Sequence, residues 1–163
     1  MISMIRIDDR LIHGQVAFVW AKYLGINRII VANDSVAKND IQKMSLKMAL
    51  PETTKCSILS IEEAVNVLND PRANNLKILI VVNNPTDARR LVEKVKGVPF
   101  INISNYGLLS RDLSAKKKVT DTIYLTEEDI EEFNKIFKYG KRVEYQIVPT
   151  SQMKLLEVLL KKD

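Results

Sequence analysis

A chain of 163 residues, 46% hydrophobic and 28% charged, has the size and balance of one globular domain. Its formal net charge of +5 suits anionic partners without naming one, and by itself does not make a nucleic-acid-binding protein. With one cysteine, Cys56, and one histidine, His13, an intrachain disulfide, a cysteine cluster and a multi-histidine zinc site are excluded, and any histidine chemistry has to use His13.

No apolar run, Ile78 to Val82 included, is long enough to span a bilayer. At the N-terminus Arg6, Asp8 and Asp9 follow the first apolar residues at once, unlike a signal peptide. A cytoplasmic protein is expected.

In chain order, β-branched runs alternate with amphipathic stretches. Strands are expected at Ile2–Ile7, Arg28–Ala32, Ser57–Leu59, Lys77–Val82, Phe100–Ile103 and Val143–Val148, with Thr122–Leu125 as a further edge piece. Between them, helical spacing places Val16, Trp20 and Leu24 on one face, and likewise Ile41, Met44 and Met48. The same spacing joins Ile61, Ala64, Val65 and Leu68; Leu91, Val92 and Val95; Ile130, Phe133 and Phe137; and Met153, Leu156 and Leu160. Ser60-Ile-Glu-Glu63 and Thr126-Glu-Glu-Asp129 read as capping boxes, and Asn84-Pro85 as a cap before a first-turn proline. The run Lys116–Lys118 reads as a solvated loop, and 105–119 as irregular. Cys56 reads as an inert strand thiol. Such alternation implies right-handed βαβ crossovers and a mainly parallel sheet covered on both faces.

Ligands of such sheets bind beyond the carboxyl ends of the strands. Small polar residues stand there after all five leading strands: Asp8, Asp9, Arg10 and His13; Asn33 and Asp34; Ser60; Asn83 and Asn84; Ser104 and Asn105. The most informative stretch is Ile5-Arg-Ile-Asp-Asp-Arg-Leu-Ile-His-Gly-Gln-Val16, a strand, a loop and a helix start. A histidine is substantially neutral at neutral pH, so one ring nitrogen is a free nucleophile. At a helix N-terminus it meets unsatisfied N–H groups and the positive end of the helix dipole, which suit a phosphoryl group. Gly14 leaves the backbone open to oxygens, and Arg10 offers a planar, permanently charged fork. Phosphoryl transfer needs mostly positioning and charge stabilisation. Asp8 and Asp9 are either a solvated turn or a hold on Arg10 or the imidazole.

The run Asp9-Arg-Leu-Ile-His-Gly-Gln-Val16 closely resembles the signature of the IIB components of the mannose/fructose/sorbose family of the bacterial sugar phosphotransferase system. Val31-Ala-Asn-Asp-Ser-Val-Ala37, Asn84-Pro-Thr-Asp-Ala88 and Gln146-Ile-Val-Pro-Thr150 resemble further family motifs, so the likeness covers nearly all of 1–163 as a single domain. It implies a three-layer α/β/α sandwich with strand order 3-2-4-1-5-6. It implies a phosphotransferase whose histidine, here His13, accepts phosphate from a IIA protein or domain and passes it to a sugar bound by membrane IIC and IID partners. It implies peripheral association with that membrane complex. Arg10 then belongs to the active-site loop, and Asp9, Gly14, Gln15, Asn33 and Asp34 are the candidate phosphate-loop positions. No cofactor or metal is implied, and a homodimer stays open. The sequence departs from the family at Asn102-Ile-Ser-Asn-Tyr-Gly107 and at Gln146, where a basic residue is common.

Three other readings compete. Asp8-Asp9 imitates the acidic pair of a response-regulator receiver, but the third strand exits on Ser60 instead of an aspartate. A nucleotide-binding enzyme lacks its loop, since Gly14, Gly25, Gly97, Gly107 and Gly140 form neither G-x-G-x-x-G nor a Walker sequence. A non-catalytic regulatory relative, binding a partner through the same surface, remains.

Overall fold

The computed structural model describes residues 1–109 and 112–162, and within the first helix the backbone but not the side chains of residues 15–17. Five parallel strands run in the order expected: β3 (Lys55–Leu59), β2 (Arg28–Ala32), β4 (Ile78–Val82), β1 (Ile2–Asp8) and β5 (Ile101–Asn105). The sixth, β8 (Val143–Tyr145), pairs parallel with β5, and a short antiparallel β9 (Lys154–Leu155) extends that edge. The order 3-2-4-1-5-6 therefore holds for the parallel strands, with one strand added. β4 is buried at all five residues, the continuous apolar run of a strand covered on both sides.

Alternation along the strands divides the core in two. Met4, Ile29, Val31, Ile58, Leu79 and Val81 pack with Trp20 of α1 (Gly14–Leu24) and Leu46 of α2 (Asp40–Met48). Ile5, Ile7, Ile30, Ile80 and Val82 pack on the other side, with α3 (Ile61–Asn69), α4 (Pro85–Lys94), α5 (Glu127–Lys138) and α6 (Leu156–Leu160). The result is three layers, α1 and α2 on one face and the remaining helices on the other.

Sequence expectation and structure part at several places, among them Met153, which is exposed and lies outside α6. Thr122–Leu125 is not an edge of the main sheet: β7 (Ile123–Leu125) pairs antiparallel with β6 (Lys117–Thr120) in a separate ribbon, which takes in two residues of the expected lysine loop. The last parallel strand stops at Tyr145, because Gln146 turns its amide onto the Pro149 and Ser151 carbonyls and closes a loop. The apolar stripe Ile41, Met44 and Met48 faces solvent, and Leu46 is the residue α2 buries.

Both capping boxes form. At α5 the Asp129 carboxylate also accepts the Tyr106 hydroxyl, 2.9 Å away, tying the helix start to the exit of β5. Thr126→Ala removes the hydroxyl that accepts from the Asp129 N–H and is expected to lower stability by about 1 kcal/mol, read as a lower denaturant midpoint with an unchanged slope.

Candidate functional site

β1 lies in the middle of the sheet, between β4 and β5, and its exit loop builds the site. The chain turns sharply there: the Leu11 N–H returns to the Asp8 carbonyl at 3.0 Å. Leu11 itself has a φ of 60°, a left-handed conformation that costs a side-chain-bearing residue roughly 1–2 kcal/mol. Burial of both Leu11 and Ile12 offsets this, because fully burying one leucine or isoleucine is worth about 1.5–3 kcal/mol. The two side chains anchor the loop in the core beneath α1 and leave His13 at the helix N-cap, its side chain 21% exposed. The imidazole does not cap the helix, so the first-turn N–H groups gain nothing from it.

His13 is held from below. Its Nε2 lies 3.1 Å from Asp8 Oδ2. Asp8 is fully buried and fully engaged: Arg6 Nη2 donates to the same oxygen at 3.1 Å, and the Arg10 backbone N–H donates to Oδ1 at 3.1 Å. Arg6 is buried too, and burial lowers its pKa to about 10, which leaves it charged at neutral pH. Its Nη1 donates to Asn102 Oδ1 at 2.6 Å, and its guanidinium lies 5.7 Å from the centre of the Trp20 ring. The Asn102 amide and the Ser104 hydroxyl both donate to the Gln146 carbonyl, at 3.0 and 2.8 Å. Alternate residues of β1 (Arg6, Asp8) and β5 (Asn102, Ser104) thus form a polar strip facing α1, embedded in an otherwise apolar sheet.

This strip fixes the chemistry of the histidine. A carboxylate with donors already on both oxygens, as Asp8 has from the Arg6 guanidinium and the Arg10 N–H, acts toward His13 as an acceptor. Nε2 therefore carries the ring proton and Nδ1 carries the lone pair. A group taken up on Nδ1 turns the ring into a cation while Nε2 keeps its proton, and Asp8 is in place as the counter-charge.

The remaining candidates fall into two sets. Asp9 turns away from His13: its N–H donates to the Asn105 carbonyl at 2.9 Å and its carboxylate accepts the Leu108 N–H at 3.3 Å. It joins the His13 loop to the β5 exit, and burial raises its pKa. The Arg10 side chain is exposed and makes no hydrogen bond or ion pair with the described residues. A Cβ at Gly14 would meet nothing within 4 Å, so space beside His13 is open. The side chain of Gln15 lies outside the described residues. Asn33 and Asp34 belong to a different cluster. Asn33 donates to Asn83 at 3.1 Å, and Asp34 accepts from the Ile61 N–H at 2.9 Å and from Arg90 at 3.1 Å. These bonds fasten the exits of β2, β3 and β4 to one another; none runs to His13 or Asp8.

The departures from the family pattern also have structural roles. Gly107 has a φ of +90°, and a Cβ there would lie 1.9 Å from the Tyr124 carbonyl oxygen, so only glycine lets the β5 exit pass the β6–β7 ribbon. The Gln146 amide holds the loop that its own carbonyl links to Asn102 and Ser104. Cys56 is half-buried, and burial pushes its thiol up to about 11, as expected for an inert cysteine.

Sequence reasoning did not single out Arg6, Asn102 or the buried role of Ser104. A signal was present in the matching alternations Ile5-Arg-Ile-Asp8 and Ile101-Asn-Ile-Ser104. Central strands of a covered sheet have no solvent face, so their polar residues must meet one another.

Comparison with known proteins bears on the family and the fold. A family model described as the PTS system sorbose subfamily IIB component matches residues 2–163. A probable phosphotransferase enzyme IIB component of Streptococcus pyogenes is 43% identical over 131 residues, 80% of each chain. The mannose-specific EIIAB component of Escherichia coli is 34% identical over 164 residues, covering all of this chain and 50% of that one. Among solved structures, the IIBSor domain of the sorbose permease from Klebsiella pneumoniae superposes with a TM-score of 0.90 at 30% identity, covering 98% of this chain and 96% of that one.

Proposed function

We propose a carrier mechanism from one premise: the chain belongs to the sorbose subfamily of phosphotransferase-system IIB components. Phosphoryl transfer within a sugar phosphotransferase system is its role. His13 carries the group, on Nδ1. In the first half-reaction the nitrogen–phosphorus bond of a phosphorylated IIA breaks and a bond from phosphorus to His13 Nδ1 forms. The Nε2 proton stays between the ring and Asp8. In the second, the Nδ1–phosphorus bond breaks, a sugar hydroxyl oxygen takes the phosphorus, and the ring returns to its neutral form. The sugar sits in membrane IIC and IID partners, whose site also takes up the hydroxyl proton.

The observation that carries this reading is the Arg6–Asp8–His13 set, which leaves one named nitrogen free at the rim of the molecule. Its completeness supports a working carrier over a non-catalytic relative. The Escherichia coli relative is named an EIIAB component and has twice the span matched here, which supports a IIA partner for residues 1–163 acting as one IIB domain. No helix among the described residues is long and apolar enough to cross a membrane, consistent with a domain that visits its membrane partners from the cytoplasmic side.

The test is to incubate the chain with phosphoenolpyruvate, the general phosphotransferase proteins and a IIA, then locate the phosphate by nitrogen and phosphorus NMR. Phosphate on Nδ1 of His13 is expected. Phosphate on Nε2, on another residue or nowhere overturns the proposal.

A further inference from the structure

The two faces of the molecule differ in kind. Outside the core, α1 exposes Phe18, Val19 and Tyr23, and α2 exposes Ile41 (83%), Met44 (65%) and Met48 (80%). On the other face, α3, α4 and α5 together expose one large apolar residue among those described, Val67, while Tyr139 just after α5 and Val158 of α6 are exposed singly. Charge divides the same way. α1 and α2 carry Lys22, Lys43 and Lys47 against a single acid, Asp40, and Lys38 precedes α2. The opposite helices carry nine acids and five bases.

On α2 the apolar stripe and its basic flank are continuous. Met44 and Met48 line one shallow depression with Asp40, Lys43 and Lys47. The lysines stand at the side of the stripe, where long stems let ammonium groups reach past apolar neighbours. The local chain does not need this stripe for folding, because Leu46 supplies the contact of α2 with the core. A stripe of isoleucine and methionine left in water beside lysines, with the acids gathered on the far face, matches an interfacial surface: apolar side chains enter the headgroup region while lysines meet anionic lipid.

We propose that the α1–α2 face, led by Ile41, Met44 and Met48, docks on an anionic lipid bilayer. Net-acidic α3 and α5 are repelled by the same surface, so the charge asymmetry sets the orientation as well as the attraction. His13 stands at the N-terminus of α1, in the docked layer, and docking keeps the phosphoryl group near the bilayer plane. The stripe is short, so the attachment is weak and reversible, as a carrier that must also meet a IIA requires. The proposal rests on the carrier reading only in bringing the chain to a membrane. Lipid binding is measured without phosphoryl transfer, so either can fail while the other stands.

The test is sedimentation of the full chain with vesicles of phosphatidylcholine alone and of phosphatidylcholine rich in phosphatidylglycerol. Expected is at least about tenfold more bound protein on the anionic vesicles, lost near 0.5 M salt, where screening lengths fall to a few ångströms. Ile41→Gln/Met44→Gln/Met48→Gln and, separately, Lys43→Glu/Lys47→Glu should each abolish binding while leaving thermal unfolding and phosphate uptake by His13 unchanged. Equal binding to neutral and anionic vesicles, no binding to either, or binding that survives both variants overturns the proposal. So does a concentration-dependent dimer in light scattering that the apolar variant dissolves while lipid binding is absent, since the face would then belong to a second copy of the chain.

Discussion

His13→Ala is expected to fold as the parent chain does and to take no phosphoryl group from a phosphorylated IIA. The chemical half of this follows from composition, because no second histidine exists to replace the first. The structural half follows from what surrounds Asp8. A buried carboxylate that loses its only partner is strongly destabilising, but Asp8 keeps the Arg6 guanidinium and the Arg10 N–H when the imidazole is gone. One partly exposed hydrogen bond is lost, worth about 1 kcal/mol, and the Leu11 and Ile12 anchors are untouched. Intact mass after incubation with the phosphorylated donor reads the first half, and a thermal melt reads the second. A His13→Ala protein that gains a phosphoryl group removes His13 from the mechanism. One that fails to fold would mean the imidazole holds the loop rather than being held by it.

Much of the architecture is legible in the residues. Strand positions followed from β-branched runs, and α3, α4 and α5 began where Ser60, Asn84 and Thr126 said they would, because a cap is local chemistry written in adjacent residues. The site was legible in part. The His13–Gly14 helix start and the open space at Gly14 were expected, and Asp8 was one of two carboxylates offered as a hold on Arg10 or the imidazole. The choice between Asp8 and Asp9 depended on which way each side chain left the turn. That is set by the register of β1 with β5 and by the left-handed Leu11, neither of which spacing reveals. Arg6 and Asn102 are ninety-six positions apart, and a pairing at that range needs the sheet order as well as the sequence. The stripe on α2 misled for another reason. Periodicity shows that a helix has an apolar side, but not whether that side meets the core or an outside surface. Leu46, alone on the opposite side, decided it.

Arg10 shares a loop with His13 and touches none of the polar strip through its side chain. Its backbone is fixed by Asp8, whereas its guanidinium is exposed with no partner among the described residues. A cation built into the fold would be paired, as Arg6 is; an unpaired one is available to a group that arrives. Two arrivals occur in the carrier cycle, and they make different demands. Exchange of phosphate between two histidines is nearly balanced, and the donor protein can supply much of the charge stabilisation. Transfer to a sugar hydroxyl draws the phosphoryl group away from this chain, with charge spread over oxygens that a planar fork matches well. Arg10→Gln should therefore still become phosphorylated on His13, while sugar phosphorylation by membranes holding matching IIC and IID falls a hundredfold or more, on the order of 3 kcal/mol for one lost transition-state donor. Arg10→Lys should recover little, because a point charge does not reproduce the fork. Both half-reactions are to be measured on the same protein. An equal loss in each would make Arg10 part of the general phosphate site, and no loss in either would leave it a surface residue outside the mechanism.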